Sequence, residues 1–231
     1  MGTIHFVGGE KGGVGKSVMA RILAQYFIDH GQPFLGFDGD RTHGALLRFY
    51  ATYASALQID DYQSLDRLVD LAVSEPARKL LVDLAAQTQL PLARWITESR
   101  LLELAPDLKL NLVYWHVMDN GFDSVELLRG FLDQFGQKIG LVLVLNQVRG
   151  ERFDLLENSG QRVRALEMGA KTMALQRLAD VTMQKIDANS RSFWAAMNNG
   201  VGPDATLGLL EQQRLWVWMK RAYEEIERIG V

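Results

Sequence analysis

The chain has 231 residues, 48% of them hydrophobic, with 25 basic and 28 acidic side chains and a formal charge of -3. That length allows one large core and predicts a single domain over 1–231. The charge excludes a surface built throughout for nucleic acid, and the absence of cysteine excludes disulfides, thiolate metal sites and thiol nucleophiles.

Taken in chain order, short apolar runs alternate with helical patterns, which predicts an α/β fold with a doubly wound, mostly parallel sheet and helices on both faces. Strands are expected at 4–7, 34–37, 80–82, 110–117, 141–145 and 172–175, in an order the sequence does not reveal. The first helix carries Met19, Ile22, Leu23, Tyr26 and Phe27 on one face and is followed by Gly31 at a C-cap position. Further helices are expected at 44–57, 64–73, 92–104, 123–135, 162–168 and 207–229. The run from Asn198 through Asn199, Gly200, Val201 and Gly202 to Pro203 reads as a loop before the last helix. The start of the chain, Met1-Gly2-Thr3-Ile4-His5, has no basic segment followed by a long apolar one, and no run reaches the roughly 18 apolar residues of a membrane span. A cytoplasmic location is expected.

Between the first strand and first helix lies Lys11-Gly12-Gly13-Val14-Gly15-Lys16-Ser17. Glycines in a strand-to-helix loop let main-chain N–H groups turn inward around phosphate oxygens, and the helix N-terminus adds partial positive charge. Such a loop predicts a phosphate cradle for ATP or ADP made of Gly12, Gly13, Val14, Gly15, Lys16, Ser17 and Val18, with Lys16 reaching the β and, in ATP, the γ phosphate and Ser17 ligating Mg²⁺. An ordinary Walker loop would have glycine where Glu10 stands. The second lysine, Lys11, instead makes the segment similar to the deviant P-loop of the ParA/MinD family of partition and positioning ATPases.

The resemblance implies a slow ATPase whose two subunits close face to face over two ATP molecules, with Lys11 crossing to the partner's phosphates. It also implies a cargo, such as a plasmid or a conjugation or mobilisation complex, and a cargo or adaptor protein that stimulates hydrolysis. Asp38 and Asp40 end an apolar strand and can point the same way. By resemblance Asp40 orients the attacking water, and Asp38 helps hold the metal shell. The segment departs from its relatives in following Asp40 with Arg41, Thr42 and His43. Lys79-Leu80-Leu81-Val82-Asp83 has the form of a Walker B strand, with Asp83 placed at a metal-bound water, although the proline expected soon after it arrives only at Pro91. Asn146 ends another apolar strand, where relatives contact adenine. Arg177 follows the next strand, where relatives close over the base.

The histidines His5, His30, His43 and His116 match no zinc or triad spacing and read as structural or exposed. Arg149, Arg152, Arg162 and Arg164 form the densest basic stretch. They read as a solvated helix face ahead of a nonspecific DNA patch, because Glu151, Asp154 and Glu157 are interleaved with them. The last helix presents Leu215, Trp218, Ala222, Ile226 and Ile229, read as core ahead of a membrane anchor. Two competing functions are a P-loop enzyme that phosphorylates a small molecule, as dethiobiotin synthetase does, and an ATP-holding switch that hardly hydrolyses.

Overall fold

The computed structural model describes residues 1–40, 44–200, 202 and 205–230. Arg41, Thr42, His43, Val201 and Pro203 lie outside the described residues.

Seven strands form one sheet: β1 (Gly2–Gly8), β2 (Phe34–Asp38), β3 (Ala54–Ala56), β4 (Lys79–Asp83), β5 (Leu110–Met118), β6 (Gly140–Asn146) and β7 (Lys171–Leu175). Their order is β3-β2-β4-β1-β5-β6-β7, and every pairing is parallel. The helices are α1 (Lys16–Asp29), α2 (Ala45–Phe49), α3 (Tyr62–Ser74), α4 (Gln89–Glu98), α5 (Leu101–Leu104), α6 (Phe122–Phe135), α7 (Asp154–Asn158), α8 (Gln161–Glu167), α9 (Asp180–Ala188), α10 (Phe193–Asn198) and α11 (Leu209–Ile229).

Strand side chains alternate between faces, so a sheet buried on both sides needs apolar residues at nearly every position. Ile4, Phe6, Leu80, Val82, Leu112, Leu141 and Leu143 face one core with α3 to α8. Val7, Leu81, Val113, Trp115, Val142, Val144 and Met173 face the other, with α1, α2, α9, α10 and α11. The second core takes in Leu215, Trp218, Ala222, Ile226 and Ile229, so the apolar stripe of α11 is core. His5 lies in the same layer and accepts at Nδ1 from Trp115 Nε1 at 3.2 Å, while burial drives its imidazole down to about 3. His116, equally buried, falls to about 4. Both are neutral packing groups near pH 7.

Two helix expectations are corrected. The stretch expected as one helix at 44–57 is a short α2 followed by a turn and the edge strand β3. Tyr53 stacks on Phe34 with ring centroids 5.4 Å apart, and the Gly36 N–H donates to Tyr53 O at 2.7 Å, so the chain here completes β2 instead of continuing a helix. The helix expected at 92–104 is broken between α4 and α5 at Arg100, whose φ of 48° is left-handed. Helices α7, α9 and α10 were not foreseen.

The opposite edge strand, β7, is covered by side chains of α11. Glu225 accepts from the Ala174 N–H at 3.0 Å, Arg228 donates to Thr172 O at 2.7 Å, and Trp218 Nε1 donates to Gln176 O just beyond the strand at 2.6 Å. Among the described residues, no helix is long and apolar enough to cross a membrane.

Candidate nucleotide site

All seven strands run the same way, so their C-terminal ends share one edge, where α/β sheets bind ligands. The register sets Asp38 beside Asp83 across β2 and β4, and Val7, near the end of β1, beside Asp83 on one side and Trp115 on the other. The glycine loop therefore leaves the sheet at its middle, between the acid of β4 and the continuation of β5 into Asp119.

The loop's path needs glycine at Gly13, whose φ of 75° is left-handed, and most sharply at two further points. Gly9 has φ 143°, and a Cβ there would lie 2.3 Å from Val117 O; Gly15, just before α1, has φ 98°, and a Cβ there would meet Asn146 Nδ2 at 2.2 Å. Among the described residues nothing lies within 4 Å of where a Cβ at Gly12 or Gly13 would be, and both are exposed, so none of those residues closes the mouth of the loop. Helix α1 starts there with no side-chain cap and no acid in its first turn. Its first N–H groups and its positive dipole end are thus left to an external anion.

Lys16 is buried, and its Nζ donates to Lys11 O at 3.1 Å, folding back over the loop. Burial lowers its pKa, while Asp83, Glu10 and Asp40 pull it back up. Val14 is buried and Ser17 and Val18 are half-buried on the first turn of α1. Lys11 turns the other way: its Nζ lies 3.2 Å from Asp119 Oδ2, 3.4 Å from Asp119 Oδ1 and 3.7 Å from Asp123 Oδ2.

The carboxylates differ sharply. Asp38 Oδ1 accepts from the Asp40 N–H at 3.0 Å, and Oδ2 accepts from the Leu47 N–H at 2.9 Å, so this acid ties its own strand end to the start of α2. Burial raises its pKa and those amides lower it. Both oxygens of Asp83 are buried without a hydrogen-bond partner among the described residues. Burial and then Asp38 push its carboxyl up to about 7, against the pull of the nearby Ser17 hydroxyl and Lys16. Asp40 stands where its charge is felt by both Lys16 and Asp83. An orphaned carboxylate beside a serine hydroxyl and a buried ammonium suits an incoming cation. Among the described residues, no group of three or more acidic or histidine side chains converges as a metal cage. A Mg²⁺ ion at a nucleotide takes one or two protein oxygens, which Ser17 and Asp83 could supply, and the rest from phosphates and water. The residues therefore fit a magnesium nucleotide.

Asn146 is committed to the loop: Nδ2 donates to Val14 O at 2.8 Å, and Oδ1 accepts from the Val148 N–H at 3.2 Å. Each function of the amide retains capacity for one more bond, which a base edge could take. Arg177 is exposed and paired with Asp180 at 2.6 Å. It shares an open groove of about 550 Å³ with Gln147, Arg149, Gln176 and Arg221. The basic stretch is neutralised locally, with Arg152 on Asp154, Arg162 on Glu157 and Arg164 on Asp133.

Two residues of the site were not foreseen. Glu10, standing where an ordinary loop has glycine, accepts from the Gln89 N–H and ties the loop to the start of α4. Asp119, fully buried, accepts at Oδ1 from the Ser124 hydroxyl at 2.6 Å, the Gly121 N–H at 3.1 Å and Lys11 Nζ at 3.4 Å, while Lys11 Nζ and Arg149 NH1 form ion pairs with Oδ2 at 3.2 and 3.1 Å. Burial alone would raise its pKa, but Ser124, Gly121 and Lys11 together hold it below the usual carboxylate range. The rule that drew attention to Asp38 and Asp83, an apolar strand ending in an acid, also fits Trp115-His116-Val117-Met118-Asp119.

No protein-family model matches the chain. Protein MobD of Acidithiobacillus ferrooxidans is 26% identical over 199 residues, which cover 84% of this chain and 86% of MobD. Protein TraL of Escherichia coli is 25% identical over an alignment spanning 100% of both chains. Among solved structures, the septum site-determining protein MinD of Pyrococcus horikoshii, complexed with Mg-ADP, superposes with a TM-score of 0.56 at 14% identity, covering 99% of this chain and 96% of its own. The MinD cell division protein of Aquifex aeolicus gives 0.55 at 11% identity, covering 97% and 98%. The chain is thus similar over most of its length to MobD and TraL, shares its parallel fold with MinD, and carries a glycine loop with an extra lysine.

Proposed function

We propose that the chain binds ATP with Mg²⁺ at this loop, hydrolyses it slowly and pairs with a second copy while ATP is held, using the cycle to position a cargo. The observation that carries the reading is the open glycine loop at an uncapped helix N-terminus, flanked by the buried ammonium of Lys16 and the unpartnered carboxylate of Asp83. When bound, the magnesium nucleotide supplies the scissile phosphoanhydride and a divalent charge to offset its phosphates. The loop amides and Lys16 bind the phosphate chain, Lys16 exchanging the Lys11 carbonyl for phosphate oxygen. Ser17 and Asp83 hold the metal side, with Asp38 keeping the neighbouring strand end in place. Asp40 orients the attacking water.

Lys11 reaches the partner's phosphates, so pairing depends on nucleotide held by the other subunit. Asn146 and Arg177 flank the base. The likeness to MobD and TraL favours a conjugation or mobilisation complex among the cargoes, and a cargo or adaptor protein would stimulate hydrolysis. The local pairing of the arginines with acids favours a solvated surface over a DNA patch.

Calorimetry with Mg²⁺ should show heat on adding ATP or ADP, and light scattering should show a doubled mass with ATP alone. Lys11→Ala should retain nucleotide binding and stay a monomer. Absence of any nucleotide heat would remove the reading, and a Lys11→Ala protein that pairs as the wild type does would remove the cross-subunit lysine.

A further inference from the structure

Resting on that reading, we propose that Asp119 is an anchor within the same chain that holds Lys11 back in the single subunit and sets the threshold for ATP-driven pairing, with Arg149 as the standby cation that takes up the charge of Asp119 when Lys11 leaves. One ammonium cannot serve an acid of its own chain and the phosphates of another at the same time. Lys11 Nζ lies 3.2 and 3.4 Å from the two oxygens of Asp119. Pairing must therefore break this contact once in each subunit.

The contact is built to hold and to be released. Asp119 has a side chain with no exposed surface, and Ser124 and Gly121 fix its Oδ1, so the carboxylate keeps its position whether or not Lys11 is there. An acid so buried would be costly to leave without a cation. Arg149 meets that need, since its NH1 lies 3.1 Å from the same Oδ2 that faces Lys11 while its side chain is about half exposed. Lys11 itself has 21% of its side chain exposed, so its route outward is open. The exposed Asp123, 3.7 Å from Lys11, lies on the first turn of α6 and adds a weaker hold.

A partly buried pair of this kind is worth about fivefold in an equilibrium. Two of them per pair of subunits make the expected effect on pairing about 25-fold. The tests use the full chain. In nucleotide-free protein, the rate at which acetic anhydride labels Lys11, read by mass spectrometry, should rise several-fold in Asp119→Asn. With ATP and Mg²⁺, sedimentation equilibrium should show pairing of Asp119→Asn at about 25-fold lower protein concentration than wild type. Arg149→Gln should move pairing the opposite way, by a few-fold, a split of signs that general loosening of the fold would not produce. If Asp119→Asn fails to fold, the labelling rate and pairing of Arg149→Gln still decide. Unchanged Lys11 labelling in Asp119→Asn overturns the anchor, as does unchanged or weaker pairing while Lys11→Ala abolishes it, or tighter pairing in Arg149→Gln. A wild type that does not respond to ATP, or to loss of Lys11, overturns the underlying reading as well and is distinguished by that response.

Discussion

The ends of β2 and β4 carry two acids at the same register position, Asp38 and Asp83, and the fold treats them in opposite ways. At the end of β2 the chain folds back so that Asp38 receives two main-chain amides, one from each side of its loop. At the end of β4 the chain turns away toward α4, and among the described residues no main-chain amide meets the Asp83 carboxyl. The first acid is engaged in holding the structure. The second is buried, keeps its capacity for a ligand, and raises the energy of the nucleotide-free protein. A binding group that costs stability beside one that supplies it is the expected balance at a functional edge.

The largest effect that could break this contrast is the response to pH. Because the folded Asp83 carboxyl sits near 7, well above its unfolded value, the folded state holds a proton that the unfolded chain releases. Its contribution is fully present below about pH 4 and is lost as pH rises through about 7, amounting to at most about 4 kcal/mol. His5 and His116, whose pKa values are depressed, work the other way, favouring the fold as pH rises. The difference between wild type and Asp83→Asn isolates the carboxyl. Urea midpoints at pH 4.5 and 7.5 should show wild type losing stability relative to Asp83→Asn at the higher pH, and parallel values would mean that Asp83 is partnered after all.

Next in size is Asp38→Ala. It leaves the Asp40 and Leu47 amides without acceptors and should destabilise the protein by about 2 kcal/mol, read from the same urea curves. It also removes the nearest carboxylate of Asp83, so the pH step of Asp83 should move downward. The smallest effect sharpens the comparison from the loop side: Glu10→Ala removes the acceptor of the Gln89 N–H at the start of α4 and should cost about 1 kcal/mol in a thermal or urea melt. A larger loss would mean that Glu10 also holds the loop itself in shape.

What could be read from the sequence was local. The six long strands announce themselves by apolar runs, because a sheet covered on both faces needs them, and the glycine loop carries its spacing within seven consecutive residues, Lys11 to Ser17. β3 did not show, since Ala54-Ser55-Ala56 has no apolar alternation and is a strand only because the edge of β2 accepts it. α9 and α10 are short and are held from outside: Arg21 of α1 meets Asp187 at 2.8 Å and lies 4.6 Å from the centroid of the Phe193 ring. The partners of Lys11 and Glu10 are distant in sequence, so spacing along the chain carried no trace of them. The division of labour between Asp38 and Asp83 was equally hidden, because it depends on which way each loop turns after the strand.

The side chains that α11 lays along β7 bear on how copies of this chain can meet. Strand addition at a sheet margin requires free main-chain donors and acceptors, and here the amide of Ala174 and the carbonyl of Thr172 are already occupied by Glu225 and Arg228. A second molecule offered to that flank finds a screen of charged groups in place of a template. Growth into a ribbon by margin-to-margin pairing at this flank is thereby discouraged.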